Sequence, residues 1–124
     1  MNNLVIAETK TTPSVNFDAQ TGVLSITGES YPDSALQFYQ QLIDWLNEYI
    51  ETSTQPITLN LKFSYFNTST SKCILDMLSL LESAHAKGRG VEVVWHYRKD
   101  DEDMQESGEE FAQDINLPFS FATY

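Results

Sequence analysis

A run of four hydroxyl residues, Thr68-Ser69-Thr70-Ser71, is the part of the chain best suited to chemistry. It lies between an alternating apolar pattern at 57–63 and the start of a helical apolar pattern. The first N–H groups of a helix lack backbone partners, and together with the helix dipole they stabilise a nearby anion. The run therefore predicts either a helix start rich in capping hydroxyls or a phosphate acceptor, with Thr68 as first choice and Ser69 and Thr70 next.

The other reactive side chains do not form a catalytic set around this run. His85 lies seventeen residues further along the same predicted helix, which places it roughly 25 Å from Thr68. His96 alternates with Trp95 on a predicted strand, and no sequence signal pairs it with a carboxylate. Cys73 has no second cysteine or matched histidine and is interpreted as a small core residue. No catalytic residue is predicted, and a small metal-dependent enzyme using His96 stays as a rival hypothesis.

Acidic residues crowd the region after the last predicted long strand. The run Asp100-Asp101-Glu102-Asp103 is followed by further acids at positions 106, 109, 110 and 114. Gly108 does not occupy the turn position that a calcium loop requires, so no metal site and no cofactor are predicted. The alternatives are a solvated acidic face or a recognition surface for a basic partner.

Length and charge exclude several classes of protein. The chain has 124 residues, 41% of them apolar, which predicts one domain over 1–124 that buries its own core. A net charge of −11 disfavours binding to nucleic acid or to an anionic membrane surface. The amino terminus lacks the pattern of a signal peptide, and no segment is long and apolar enough for a membrane span. We therefore expect a cytoplasmic protein, which a single cysteine also fits.

The first half of the chain predicts strands followed by a helix. A short strand at 4–6 precedes a hairpin formed by 14–17 and 23–27. A helix over 33–51 follows, and Ser30 with Asp33 three residues later, and Pro32 between them, predicts its start. Its apolar face is expected to contain Leu36, Tyr39, Leu42, Ile43, Leu46 and Ile50.

The second half alternates strands and helices. A strand at 57–63 is followed by a helix from about 69 to 87, a strand at 91–97, a short helix over 104–114 and a final strand at 117–122. The second helix is expected to bury Ile74, Met77, Leu78, Leu81 and Ala84. The order predicts an α/β fold, a mixed β-sheet packed with α-helices in which an N-terminal hairpin precedes β-α-β-α-β-α-β.

The handedness of β-α-β units places the hydroxyl run on one edge of this sheet. In a right-handed unit the helix begins at the carboxyl end of the preceding strand, so Thr68 lies on that edge. Strand 91–97 runs toward the same edge, so His96, Tyr97 and the acidic run 100–103 are expected to emerge near Thr68. Partner sites in open α/β sheets use this edge. The predicted partner-binding residues are Tyr31, Asn67, Thr68, Ser69, Lys72, Tyr97, Asp101 and Asp103.

The turn Asn67-Thr68-Ser69-Thr70 resembles the phospho-acceptor loop of STAS domains, the bacterial anti-sigma-factor antagonists. Asn67 replaces the usual Asp, however, and Thr70 stands where that family has Gly. Over nearly its whole length the chain more closely resembles the SiaC family of bacterial regulatory phosphoproteins. The stretches that carry this resemblance are Thr12–Val15, Gly28–Pro32, Phe38-Tyr39, Trp45-Leu46, Leu59–Lys72, Asp101–Met104 and Ser107–Phe111.

The resemblance implies a STAS-like fold and a non-catalytic, partner-switching function. It implies that a dedicated serine/threonine protein kinase phosphorylates the threonine matching Thr68 and that a PPM-type phosphatase restores it. It also implies that the unmodified form binds and activates a diguanylate cyclase, which connects the protein to cyclic-di-GMP signalling and biofilm regulation. An anti-sigma-factor antagonist of the general STAS type is the alternative.

Overall fold

The computed structural model describes all 124 residues as a six-stranded sheet with three helices. In chain order the elements are β1 (Leu4–Ile6), β2 (Ser14–Phe17), β3 (Val23–Ser30), α1 (Ala35–Thr52), β4 (Ile57–Phe66), α2 (Thr68–Ala86), β5 (Val91–Tyr97), α3 (Glu102–Asp114) and β6 (Phe119–Thr123). The mixed α/β architecture that the sequence predicts is confirmed, and the predicted order of elements is correct. None of the three helices combines the length and apolar character needed to span a membrane.

The strands lie in the sheet in the same order as in the chain. β1, β2 and β3 are antiparallel neighbours, whereas β3, β4, β5 and β6 are parallel. Each parallel pair is joined by one helix, and consecutive right-handed connections that advance in one direction place all their helices on the same face. The carboxyl ends of β3, β4 and β5 consequently meet at one edge of the sheet.

Burial alternates along the central strands and separates the two faces of the sheet. Leu59, Leu61 and Val93 are fully buried beneath the helices, while Asn60 and Val94, between them in the register, are only half-buried. One core of 26 buried residues fills the space between the helices and this face. The opposite face of the sheet carries no helix and is mostly polar.

The predicted start of the first helix was wrong. β3 passes through an irregularity between Gly28 and Glu29 and continues to Ser30, which pairs with Phe66 at the end of β4. Ser30 is thus part of the sheet and is not available as a cap. Ser34 caps α1 instead, because its side chain accepts a hydrogen bond from the N–H of Gln37.

The buried face of α1 also differs from the prediction at one end. Leu36 lies 64% exposed in the first turn, because the buried face of the helix runs through Ala35, Tyr39 and Leu42 and leaves this side chain outside it. Trp45 and Tyr49 join the buried face and stack with ring centroids 4.7 Å apart. The face predicted for α2 is confirmed, and Thr70 and Cys73 are buried with it.

Candidate functional site

The hydroxyl run forms the first turn of α2, directly after the carboxyl end of β4. Asn67 is the N-cap, and its side-chain Oδ1 accepts a hydrogen bond of 2.9 Å from the N–H of Thr70. Since an amide side chain caps the helix, none of the hydroxyls is needed for that purpose. Thr68 and Ser69 are exposed, whereas Thr70 is completely buried.

Beneath this turn, three hydroxyl groups form a buried network. The Oγ of Ser30 lies 2.7 Å from the hydroxyl of Tyr39 and 2.9 Å from Oγ1 of Thr70. The carbonyl oxygen of Ser30 accepts from the N–H of Asn67 at 3.1 Å and from the Thr70 hydroxyl at 3.2 Å. The network joins the end of β3 to α1 and to the start of α2, so it fixes where the exposed hydroxyls stand.

The phenol of Tyr39 takes part in this network in its neutral form. Burial raises the pKa of Tyr39, and the hydrogen bond from Ser30 only partly opposes that shift. Apart from aromatic hydroxyls and indoles, Ser30 and Thr70 are the only buried polar residues of the core. The network supplies hydrogen-bond partners for both of their side chains. Thr70 is therefore positioned as a structural hydroxyl. Ser71 is half-buried, and the exposed candidates for phosphate are Thr68 and Ser69.

A groove between α2 and α3 begins at Thr68. Its cavity has a volume of about 340 Å³, with Phe66 and Phe111 among its apolar lining. Lys72 is the one basic residue in the lining, and Glu110 and Asp114 contribute two carboxylates from α3. The groove thus places an exposed hydroxyl, a cation and two anions around one concave surface.

The Asp100–Asp103 run, which follows β5, does not line the groove that begins at Thr68. That run lies at the same sheet edge but lines a different cavity of about 560 Å³ together with Ser64 and Arg98. Arg98 and Asp100 form an exposed ion pair at 3.6 Å. The acids that share the groove with Thr68 come about two and three helical turns after Asp103, because α3 runs back across the sheet after Asp101 caps it.

The remaining predicted partner residues are placed around this edge. Asp101 accepts a hydrogen bond of 3.0 Å from the N–H of Met104, so it has a capping function, while Asp103 is exposed. Tyr31 is half-buried and meets the ring of Tyr65 edge-on, with centroids 6.0 Å apart. Tyr97, at the end of β5, is also half-buried.

Three residues of this region were not among the predicted partner residues: Tyr65 at the sheet edge, and Glu110 and Asp114 in the groove. Tyr65 is 51% exposed although it lies within β4, which runs three residues beyond the predicted strand. The two acids lie four residues apart on one helix. That spacing places the two acids on one face of the helix, which the sequence alone could have shown. It does not show which neighbouring helix that face meets.

His96 is not part of this site. Its Nε2 lies 3.0 Å from Oδ1 of Asn60, on the sheet face opposite the helices. Burial lowers the pKa of His96, and the cation of Lys62 lowers it further. The thiol of Cys73 is buried, and burial raises its pKa, with Asp76 adding to the effect. No three His, Cys, Asp or Glu side chains converge in a geometry that could hold a metal ion.

A family model for the SiaC family of regulatory phosphoproteins matches residues 6–124. The chain belongs to this family. An uncharacterized protein of Pseudomonas aeruginosa strain UCBPP-PA14 is 39% identical over 124 residues, which is all of this chain and 98% of that protein. The resemblance read from the sequence is therefore confirmed.

Solved structures agree with this assignment. The crystal structure of apo-SiaC from Pseudomonas aeruginosa is similar to this chain at 39% identity and a TM-score of 0.93, covering 99% of this chain and 100% of that one. A chain in the crystal structure of diguanylate cyclase SiaD in complex with its activator SiaC, from the same organism, matches at 39% identity with a TM-score of 0.94. That match covers 98% of this chain and 99% of the other.

Proposed function

We propose that this SiaC-family chain is a non-catalytic, partner-switching regulator controlled by reversible phosphorylation of Thr68. In the proposal, a cognate serine/threonine kinase transfers the terminal phosphoryl group of a nucleoside triphosphate to Oγ1 of Thr68, whose proton is lost as the nucleoside diphosphate leaves. A PPM-type phosphatase hydrolyses the ester, which restores the hydroxyl and releases inorganic phosphate. The unphosphorylated form binds and activates a diguanylate cyclase and so raises cyclic-di-GMP.

The observation that carries the proposal is the placement of the Thr68 hydroxyl. It is exposed in the first turn of a 19-residue helix, immediately after the capping residue Asn67. The unpaired N–H groups of that turn and the helix dipole favour an anion there, and Lys72 stands one turn further along. The complex of a similar protein with a diguanylate cyclase supports the choice of partner.

A phosphate at this position would change what the edge can bind. It adds roughly −1.5 to −2 charges in place of a neutral hydroxyl. A partner that packs over the unmodified Thr68 would have to bury that charge without enough donors, which costs several kcal/mol or forces release. Release of the cyclase is the expected consequence.

Thr68→Ala tests the assignment directly. The position is exposed in a helix and Ala is a good helix former, so we expect the stability to change by less than about 0.5 kcal/mol. The variant should bind the cyclase constitutively and keep cyclic-di-GMP synthesis high when the kinase and a nucleoside triphosphate are present. Intact-mass analysis, pull-down and cyclase assays measure the three steps.

Ser69→Ala is the matched control, because Ser69 is the exposed neighbour in the same turn. It should still gain one phosphate and still release the cyclase. If Thr68→Ala continues to be phosphorylated and released while Ser69→Ala is not, the acceptor is Ser69 and the assignment is wrong. Capture of an anti-sigma kinase in place of a cyclase in the pull-down would favour the anti-sigma-factor antagonist.

A further inference from the structure

Helix α3 is attached to the sheet around the indole of Trp95, with the ring of Phe66 as a second neighbour 6.4 Å from that of Phe111, measured between centroids. Three of its 13 residues are buried, Met104, Gly108 and Phe111. The indole Nε1–H of Trp95 donates to the carbonyl oxygen of Met104 at 3.0 Å. Gly108 lies against the same indole so closely that a Cβ there would stand 2.4 Å from Cδ1 of Trp95. The ring of Phe111 packs 5.5 Å from that of Trp95, measured between centroids.

The groove beside this helix is unfavourable for additional negative charge. Glu110 and Asp114 line it from α3, and Lys72 alone supplies a positive charge from α2. Neither carboxylate has an ion-pair partner, since the molecule's one ion pair joins Arg98 to Asp100. A dianion on Thr68 would enter the same cavity from the other wall, and like charges in a shared cavity repel.

The two helices that line the groove, α2 and α3, differ in how easily they can move. The start of α2 is held by the buried hydrogen bonds among Ser30, Tyr39 and Thr70. α3 is held by the contacts around Trp95 and is polar over most of its surface. Repulsion across the groove is therefore relieved by movement of α3, because local opening selects the element with the least buried contact.

We infer that phosphorylation of Thr68 loosens α3 from the indole of Trp95, and that Glu110 and Asp114 couple the phosphate to this movement. The inference rests on the proposed function in one respect, that Thr68 carries the phosphate. It adds that the partner recognises α3 in its seated position, that is, while α3 packs against Trp95. Phosphorylation then weakens partner binding by displacing α3 as well as by direct obstruction at position 68.

Nuclear magnetic resonance on the full chain tests this, because the two tryptophans provide two separate indole signals. Phosphothreonine is introduced at position 68 by expressed protein ligation, which makes the test independent of any kinase. The Trp95 indole signal should shift, and the backbone amides of α3 should exchange with solvent about fivefold faster or more. The Trp45 indole, which donates to the carbonyl of Asn2 at 2.9 Å, should stay unchanged as an internal reference.

Two double variants separate groove charge from helix charge. E110Q/D114N removes the carboxylates that line the groove and should reduce both effects of phosphorylation at least by about half. E106Q/E109Q removes two exposed charges from the same helix outside the groove and should leave both effects intact. Raising the salt concentration from about 0.05 to 0.5 M should weaken the effect in the parent protein, because the groove is open to solvent.

The inference is overturned if phosphothreonine at position 68 leaves the Trp95 indole and the exchange of α3 unchanged. It is also overturned if the two double variants respond alike. Cyclase binding by the same phosphorylated sample is measured in parallel. Loss of binding without movement of α3 removes this inference and keeps the proposed function. Movement of α3 with full cyclase binding keeps the coupling, but it removes both the proposed release and the recognition of α3 in its seated position.

Discussion

Two helices meet at the groove, and they are held in very different ways. The first turn of α2 is fixed from below by a network of buried hydroxyls and by the Asn67 cap, and the helix buries seven of its 19 residues. α3 buries three of 13 and depends on the Trp95 indole for its closest contacts. The α2 wall of the groove is therefore held by more buried contacts than the α3 wall.

This difference fits the switch that we propose, in which Thr68 is modified and the rest of the molecule has to signal its state. In the proposed cycle, a kinase and a phosphatase would both act on one hydroxyl, and a packed and hydrogen-bonded turn holds that hydroxyl in a constant position. A change of charge, by contrast, is transmitted only where an element has an alternative position of similar free energy. In the proposed switch, the α2 wall presents Thr68 and the α3 wall responds to its phosphorylation.

The largest expected effect comes from removing the hydroxyl at the centre of the network beneath α2. Ser30→Ala deletes the hydroxyl that both Tyr39 and Thr70 contact, and leaves two buried hydroxyls without their shared partner. We expect the free energy of unfolding to fall by about 2 kcal/mol. Urea unfolding monitored by circular dichroism measures this change.

Ser25→Ala is the control for that substitution, because Ser25 lies on the same strand but on the open face of the sheet. It should change the stability by less than about 0.5 kcal/mol. Equal effects of the two substitutions would contradict the idea that the hydroxyl network makes the α2 wall rigid.

A smaller effect on stability is expected from a substitution in α3. Gly108→Ala places a methyl group against Trp95, and such overpacking lowers the free energy of unfolding by about 1–3 kcal/mol. The better helix propensity of Ala raises it by about 1 kcal/mol. We therefore expect a net loss of about 1 kcal/mol that is concentrated in α3. Hydrogen exchange should become faster in α3 and stay unchanged at the start of α2.

Gly90→Ala is the matched control, since the nearest atom to an added Cβ there is Cβ of Pro56 at an ordinary 3.4 Å. It should leave the exchange of α3 as in the parent protein. If Gly108→Ala accelerates exchange equally in both helices, then the two walls form one cooperative unit and the contrast drawn between them is wrong.

The smallest effect concerns the open sheet face, which lies outside both walls. Burial and the Lys62 cation lower the pKa of His96, so the folded state favours the neutral ring. The stability this provides is fully present above the unfolded pKa of 6.5 and is lost as the pH falls through the lower folded value. The parent protein should therefore lose stability relative to His96→Gln between about pH 7.5 and 5.5.

The comparison with the variant cancels the titration of the many acidic residues that both proteins share. Urea midpoints at each pH give the difference. A parent protein that gains stability relative to His96→Gln on acidification would reverse the assigned direction, while unchanged exchange in α2 and α3 would show that this face is independent of the groove.

Much of the fold could be predicted because its signals are local. The alternation at 57–63 and the three-to-four spacing of Ile74, Met77, Leu78 and Leu81 identify β4 and α2 without any knowledge of their neighbours. The start of α1 was mispredicted because Ser30 and Asp33 have the residue types of a cap. The pairing of Ser30 with Phe66, far away in the chain, assigned it to the sheet instead.

The sequence by itself determined that Thr68 follows a strand and opens a long helix, since residue order and the handedness of strand-helix-strand connections suffice for that. Only the tertiary structure decided which hydroxyl of the run points inward, because successive helical residues differ by about 100° and docking against β3 sets the orientation. It likewise decided that Glu110 and Asp114, and not Asp100–Asp103, share a groove with Thr68. Contacts between elements distant in the chain depend on how the helices pack, which no local pattern encodes.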